Sequence, residues 1–170
     1  MFPETIPGKI VTLKILDQKY FENYHNMFSP KIRKALGLPE VATLDQTEDF
    51  LSKKIEDLKI GATIFYCIFD NKTKQLIGSI EIREPGFVDG QLGAWINEHF
   101  WGGGRYQEAL DLMLQEYFRQ KKVDSINAFI ESTNIRSFKA HQKYGFTFIR
   151  EFSKDDKTWC ELIFKTNLEK

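Results

Sequence analysis

Apolar positions along this chain switch between a spacing of two and a spacing near 3.6, and the switching predicts an ordered series of strands and helices. Ile10, Val11, Leu13 and Ile15 predict a first strand. Asp17 follows as a helix cap, and Tyr20, Phe21, Tyr24, Met27 and Phe28 recur at helical spacing, with Pro30 near the expected end. Thr43 with Gln46 three positions later is a capping-box pattern, which Phe50, Leu51, Ile55 and Leu58 continue as an amphipathic helix. Ala62 to Asp70 is rich in β-formers, the segment NKTK reads as a turn, and Gln75 to Ile82 returns as the partner strand of a hairpin. A loop around Pro85 to Gly90 leads into the strand QLGAWIN. A glycine cluster and a helix to about Lys121 come next, then the strand SINAFI and a short helix from Asn134. Closing strands fall around Thr147–Phe152 and Trp159–Phe164. This order predicts one α/β (α+β) domain over residues 1–170, with a largely antiparallel first half.

Composition narrows the class. Hydrophobic residues make up 42% and charged residues 28% of 170, as expected of a folded chain that buries a sizeable core. Twenty-four basic residues balance 24 acidic ones, so no overall field favours nucleic acid or an anionic membrane. Cys67 and Cys160 lie in apolar strand-like runs without metal-ligand spacing, which predicts no metal site and buried free thiols, with a disulfide as the alternative. No apolar run approaches the ~18 residues of a membrane span. The first residues lack a basic region followed by an apolar one, so a cytoplasmic protein is expected.

Gly102, Gly103 and Gly104 stand between a strand and a helix whose Tyr106, Ala109, Leu110, Met113, Leu114, Tyr117 and Phe118 share a stripe. A helix N-terminus offers unpaired N–H groups and about half a positive charge, which favours a phosphate or pyrophosphate. A tight turn without a ligand is the plainer reading. The mononucleotide loop needs Gly-Lys-Ser/Thr where Gly104 is followed by Arg105 and Tyr106, and the dinucleotide fingerprint lacks its third glycine.

Downstream, Asn134, Ser137 and His141 are spaced to share one helical face that Tyr144 extends, with Gly145 as the terminator. An amide, a hydroxyl and an imidazole on one face fit chemistry. The plainer reading makes Asn134 a helix cap, Ser137 solvated and His141 a satisfied histidine.

The sequence FWGGGRYQEAL, followed by Asn-x-x-Ser and then KYGF, resembles the GNAT superfamily of N-acetyltransferases. It is most similar to the branch acting on the N-terminal amines of ribosomal proteins. The resemblance covers nearly the whole chain, because the element order is that family's order. It implies a mixed, mostly antiparallel splayed sheet of about seven strands with about four helices. Acetyl-CoA would lie in the splay, its pantetheine bonded near Ile96 and its pyrophosphate on Trp101, Gly102, Gly103, Gly104, Arg105 and Tyr106. Asn134 and Ser137 fall near the pantetheine and its sulfur. His141 stands where many relatives carry a tyrosine, and an imidazole of ordinary pKa near 6.5 would be partly protonated for service as general acid.

The expected reaction is direct attack of a primary amine, a protein N-terminus or a small molecule, on the thioester. Glu81 and Glu98 are the carboxylates available as base, while Glu108 reads as helix-terminal stabilisation and His25 and His99 as structural. Trp95 and Trp101 are candidate cleft-lining residues. Tyr106 departs from the small residue usual at its position, and Gly103 removes a charge that Arg105 would restore. Tyr106 is expected to turn inward, leaving its amide to the phosphate. An alternative class remains, a catalytically weak relative that binds an acyl-CoA or a partner protein. A homodimer also remains open.

Overall fold

The computed structural model describes residues 2–84, 90–121 and 123–166. The strands are β1 (Thr5–Pro7), β2 (Val11–Ile15), β3 (Thr63–Asp70), β4 (Leu76–Arg83), β5 (Gln91–Ile96), β6 (Ser125–Glu131), β7 (Thr147–Lys154) and β8 (Lys157–Lys165). The helices are α1 (Phe21–Met27), α2 (Pro30–Ala35), α3 (Leu44–Lys59), α4 (Arg105–Gln120) and α5 (Ile135–Tyr144). Apart from Gly90, the loop expected around Pro85 to Gly90 lies outside the described residues.

The strands form one sheet in the order β1-β2-β3-β4-β5-β6-β8-β7, antiparallel except where β5 meets β6. The mixed, mostly antiparallel sheet is the one anticipated, but with eight strands and five α-helices among the described residues. The two extra elements are short. β1 has three residues, and α2 has six, too few to print a periodicity. Pro30, expected near the end of α1, instead opens α2, where its fixed φ and missing N–H suit the first helical position behind the Ser29 cap. The Thr43–Gln46 capping box is present on α3 as read.

The sheet is covered on both faces, which explains why β3 is apolar almost throughout rather than alternating. Ile64, Tyr66 and Ile68 pack with Leu110, Met113, Leu114 and Tyr117 of α4. Phe65 and Cys67 point the other way, against Phe21 and Tyr24 of α1 and Leu51 of α3. Cys160 belongs to the α4 side and Cys67 to the α1 side, so the two buried thiols stay free.

Two features position the site. β5 and β6 pair only at Gln91↔Asn127 and Leu92↔Ala128, whereas β5 stays paired with β4 as far as Gly78↔Ile96. The sheet therefore opens beyond Leu92. Gly78 is required there, because a Cβ on it would come within 2.0 Å of the Trp95 carbonyl.

Candidate active site at the splayed strands

The three glycines occupy the left-handed region, with φ of 86° at Gly102, 63° at Gly103 and 78° at Gly104. L-residues pay about 1–2 kcal/mol each for that conformation, so the cluster answers a backbone need. Added bulk would meet open space at Gly102 and the Arg105 guanidinium, 2.8 Å away, at Gly103. Gly104 takes the N-cap position of α4, and the first intrahelical bond runs from Glu108 N–H to the Gly104 carbonyl at 2.9 Å. The amides of Arg105, Tyr106 and Gln107 are thus left without acceptors inside the helix, as an anion site at a helix end requires.

Glu108 does not serve this loop. Its carboxylate accepts the amides of Lys9, Ile10 and Val11 at 2.6–3.0 Å, locking α4 onto the entry to β2. Arg105 lines the glycine-loop cavity but is also held from below. Its Nε donates to Asp70 at 2.7 Å, and Asp70 is 1% exposed. Burial alone would raise the Asp70 carboxyl, but the bonds from Arg105 and Thr73 outweigh it and hold it below the ordinary value. The guanidinium expected to restore phosphate charge thus pairs a buried carboxylate through Nε, while its Nη1 stays at the glycine loop and donates to the Gly102 carbonyl at 3.4 Å. Trp101 is flanked by two other cations, Lys31 at 4.9 Å and Arg136 at 4.0 Å from its ring centre.

Asn97 N–H bonds to the Ile77 carbonyl on the β4 side at 2.8 Å. Backbone direction alternates along a strand, so Ala94 and Ile96 turn their polar groups toward the gap. The Ile96 carbonyl accepts the Trp101 indole N–H at 2.8 Å, so what Ile96 presents to the gap is its amide.

Across the gap, Asn134 caps α5 by accepting Ser137 N–H at 3.2 Å, while its amide group donates to the Ala35 carbonyl at 3.3 Å. His141 is 3% exposed. Its Nδ1 donates to the Ser137 carbonyl at 2.8 Å, which makes Nε2 the acceptor in the neutral ring and turns it to the Tyr106 hydroxyl at 3.5 Å. Burial lowers the His141 pKa below the ordinary value. The lowered value disfavours the partly protonated ring expected of a general acid. Tyr106 packs against the α4-side core, its ring edge-to-face with His141, so the inward orientation expected of it is what the fold contains.

The two carboxylates part company. Glu98 accepts the Ser29 hydroxyl at 2.6 Å and lines neither cavity described below. Burial would raise its carboxyl, but the Ser29 bond and nearby His99 and Lys31 hold it lower, and its work is to tie β5 to the α2 cap. Glu81 is buried on β4, takes bonds from Lys54 and from Thr63 at 3.0 Å, and has Arg83 at 3.9 Å. His25 bonds Thr47 at 2.8 Å, and His99 is exposed, so neither reaches the gap.

Two cavities meet in the splay. One, of about 700 Å³, is formed by the glycine loop, the end of β5 and one face of α5. The other, of about 620 Å³, is walled by Tyr24, Phe28, Phe50, Phe65, Trp95, Phe129 and Trp159 and contains Glu81, Ser137 and His141. Ala35, Leu36, Ala94, Trp95, Asn134 and Ser137 line both. Ala35 and Leu36 were not anticipated; the Ser29–Pro30 cap-and-N1 pair was the available signal for the helix that carries them. Lys54, which holds Glu81, and Asp70, which holds Arg105, leave no local signal.

The family profile described as Acetyltransferase (GNAT) domain matches residues 11–147, and the chain belongs to that family. A search of curated proteins returned no match. Among solved structures, the chain is similar to a Salmonella typhimurium acetyltransferase that modifies the N-terminal serine of a 50S ribosomal protein. The TM-score is 0.85 at 18% identity, covering 96% of this chain and 100% of that one. It is similar to the microcin self-immunity acetyltransferase solved with acetyl-CoA and AMP, with TM-score 0.82, 16% identity and 94% of each chain covered. It is also similar to Vibrio cholerae spermidine N-acetyltransferase solved with CoA and spermine, with TM-score 0.77, 16% identity, and 93% and 96% covered. No helix among the described residues is long and apolar enough to cross a membrane.

Proposed function

We propose that this GNAT acetyltransferase carries the acetyl group of acetyl-CoA to a primary amine in a ternary complex. The donor occupies the glycine-loop cavity and the acceptor the aromatic-walled one. The observation that carries this is the shared boundary of the two cavities, where Ala94, Trp95, Asn134 and Ser137 belong to both. A thioester entering from one side and an amine from the other meet there without either crossing the sheet.

The first-turn amides of α4 hold the pyrophosphate, and the gap-facing backbone of Ala94 and Ile96 bonds the pantetheine. The amine nitrogen attacks the thioester carbon, a C–N bond forms, the C–S bond breaks, the nitrogen gives up a proton and the sulfur takes one. Of the two carboxylates lining the acceptor cavity, Glu81 and Glu131, Glu81 receives the amine proton. Ser137, whose residue lines both cavities, offers its hydroxyl to the departing sulfur. Tyr106 and His141 stand behind it as positioning residues.

Thermal shift with acetyl-CoA and with CoA, followed by thiol release over an amine panel, tests the reading. Stabilisation together with amine-dependent thiol release is expected, and Ser137→Ala should lower kcat about 10²-fold, the low end for proton-transfer catalysis. Stabilisation without thiol release would favour an acyl-CoA-binding relative instead.

A further inference from the structure

The acceptor cavity has a chemical character of its own, and we infer that its substrate is an aromatic monoamine: one primary amine close to an aromatic ring, with no second cationic group. The inference rests on the acetyl-transfer reading and deepens it. The amine must reach the junction beside Trp95, so the rest of the acceptor lies along the remaining wall. That wall is aromatic on both sides of the gap, with Phe28 stacked on Trp95 at 4.7 Å and 23° on one side and Phe129 and Trp159 on the other. Planar rings packed against such walls gain offset-stacked and edge contacts beyond simple area burial.

Charge excludes the competing class. A polyamine or aminoglycoside needs free carboxylates for its additional ammonium groups. Both carboxylates lining the cavity are already paired, Glu81 with Lys54 and Arg83, and Glu131 with Lys157 at 3.3 Å. Arg33 also lines the cavity, its Nε donating to the Pro39 carbonyl at 2.6 Å and its guanidinium over the Phe28 ring. A second ammonium would therefore face Lys54, Arg83 and Arg33 with no unpaired anion to receive it.

The test uses the full chain at saturating acetyl-CoA, measuring thiol release with phenethylamine, tryptamine, butylamine and spermidine. We expect kcat/KM for phenethylamine and tryptamine to exceed that for butylamine and spermidine at least tenfold. Trp159→Ala, and separately the more exposed Phe50→Ala, should raise KM for the aromatic amines severalfold while leaving stabilisation by acetyl-CoA unchanged. Equal or faster turnover of butylamine or spermidine overturns the substrate class while leaving the transfer reading intact. Cofactor stabilisation with no turnover of any amine also overturns the substrate class. Absence of both stabilisation and turnover overturns the transfer reading, and the inference with it.

Discussion

The Tyr106 hydroxyl lies 3.5 Å from Nε2 of His141, and the two rings meet edge to face with centroids 5.8 Å apart. The contact joins the first turn of α4 to the last turn of α5. It also reconciles a bulky residue with a loop position usually held by a small one, since the ring leaves the loop while the amide stays in it. If the ring serves packing, Tyr106→Gly should destabilise the fold by about 3 kcal/mol or more, from the lost contacts and the glycine in a first turn. Acetyl-CoA should bind no more tightly. Calorimetric titration of both proteins decides this, and a tenfold gain in the variant would mean that the ring obstructs the site.

His141 gives a pH signature. Burial lowers its pKa, although the bond to the Ser137 carbonyl acts in the opposite sense. The folded protein prefers the neutral ring, so protonation favours the unfolded chain. Its contribution to stability is complete above the ordinary value near 6.5 and is lost as pH falls through the lowered native value. Melting wild type and His141→Gln between about pH 8 and about pH 5 should show their difference narrowing on the acidic side. A constant difference would show that the imidazole titrates alike in both states.

The glycines separate backbone strain from steric room. Gly102→Ala places a methyl in open space at φ 86°, so it should cost about 1–2 kcal/mol through conformation alone. Gly104→Val adds β-branching at φ 78° and crowds Ile10 Cδ1, which lies 3.3 Å from an added Cβ. That variant should lose stabilisation by acetyl-CoA. Unchanged cofactor affinity in a folded Gly104→Val protein would refute the loop as the pyrophosphate site.

The Asp70–Arg105 pair should behave as a buried couple. Arg105→Ala leaves Asp70 without its cation and should destabilise by about 3–5 kcal/mol. Adding Asp70→Asn should recover part of that loss, which chemical denaturation of the four proteins would measure. The pair's stabilisation is present above the ordinary carboxylate value near 3.8 and disappears as pH falls through the lowered native value of Asp70. Additive losses in the double variant would show that the two groups do not interact.

Local chemistry writes the short-range elements of this fold into neighbouring residues. The Thr43–Gln46 box, the β-rich run from Thr63, the apolar stripe of α4 and the Gly145 terminator are short-range signals, and each lies where its pattern indicated. The family resemblance came from the same source, since its loop and its Asn-x-x-Ser face are local too. Side-chain roles were another matter. Whether Arg105 meets a phosphate or a carboxylate depends on Asp70, 35 residues away, and whether Glu108 is idle depends on Lys9, Ile10 and Val11, nearly a hundred residues away. His141 is buried because α5 packs it against Tyr106 and Phe146, and burial lowers its pKa. Partner choice and desolvation are properties of the packed chain, and no spacing along the sequence encodes them.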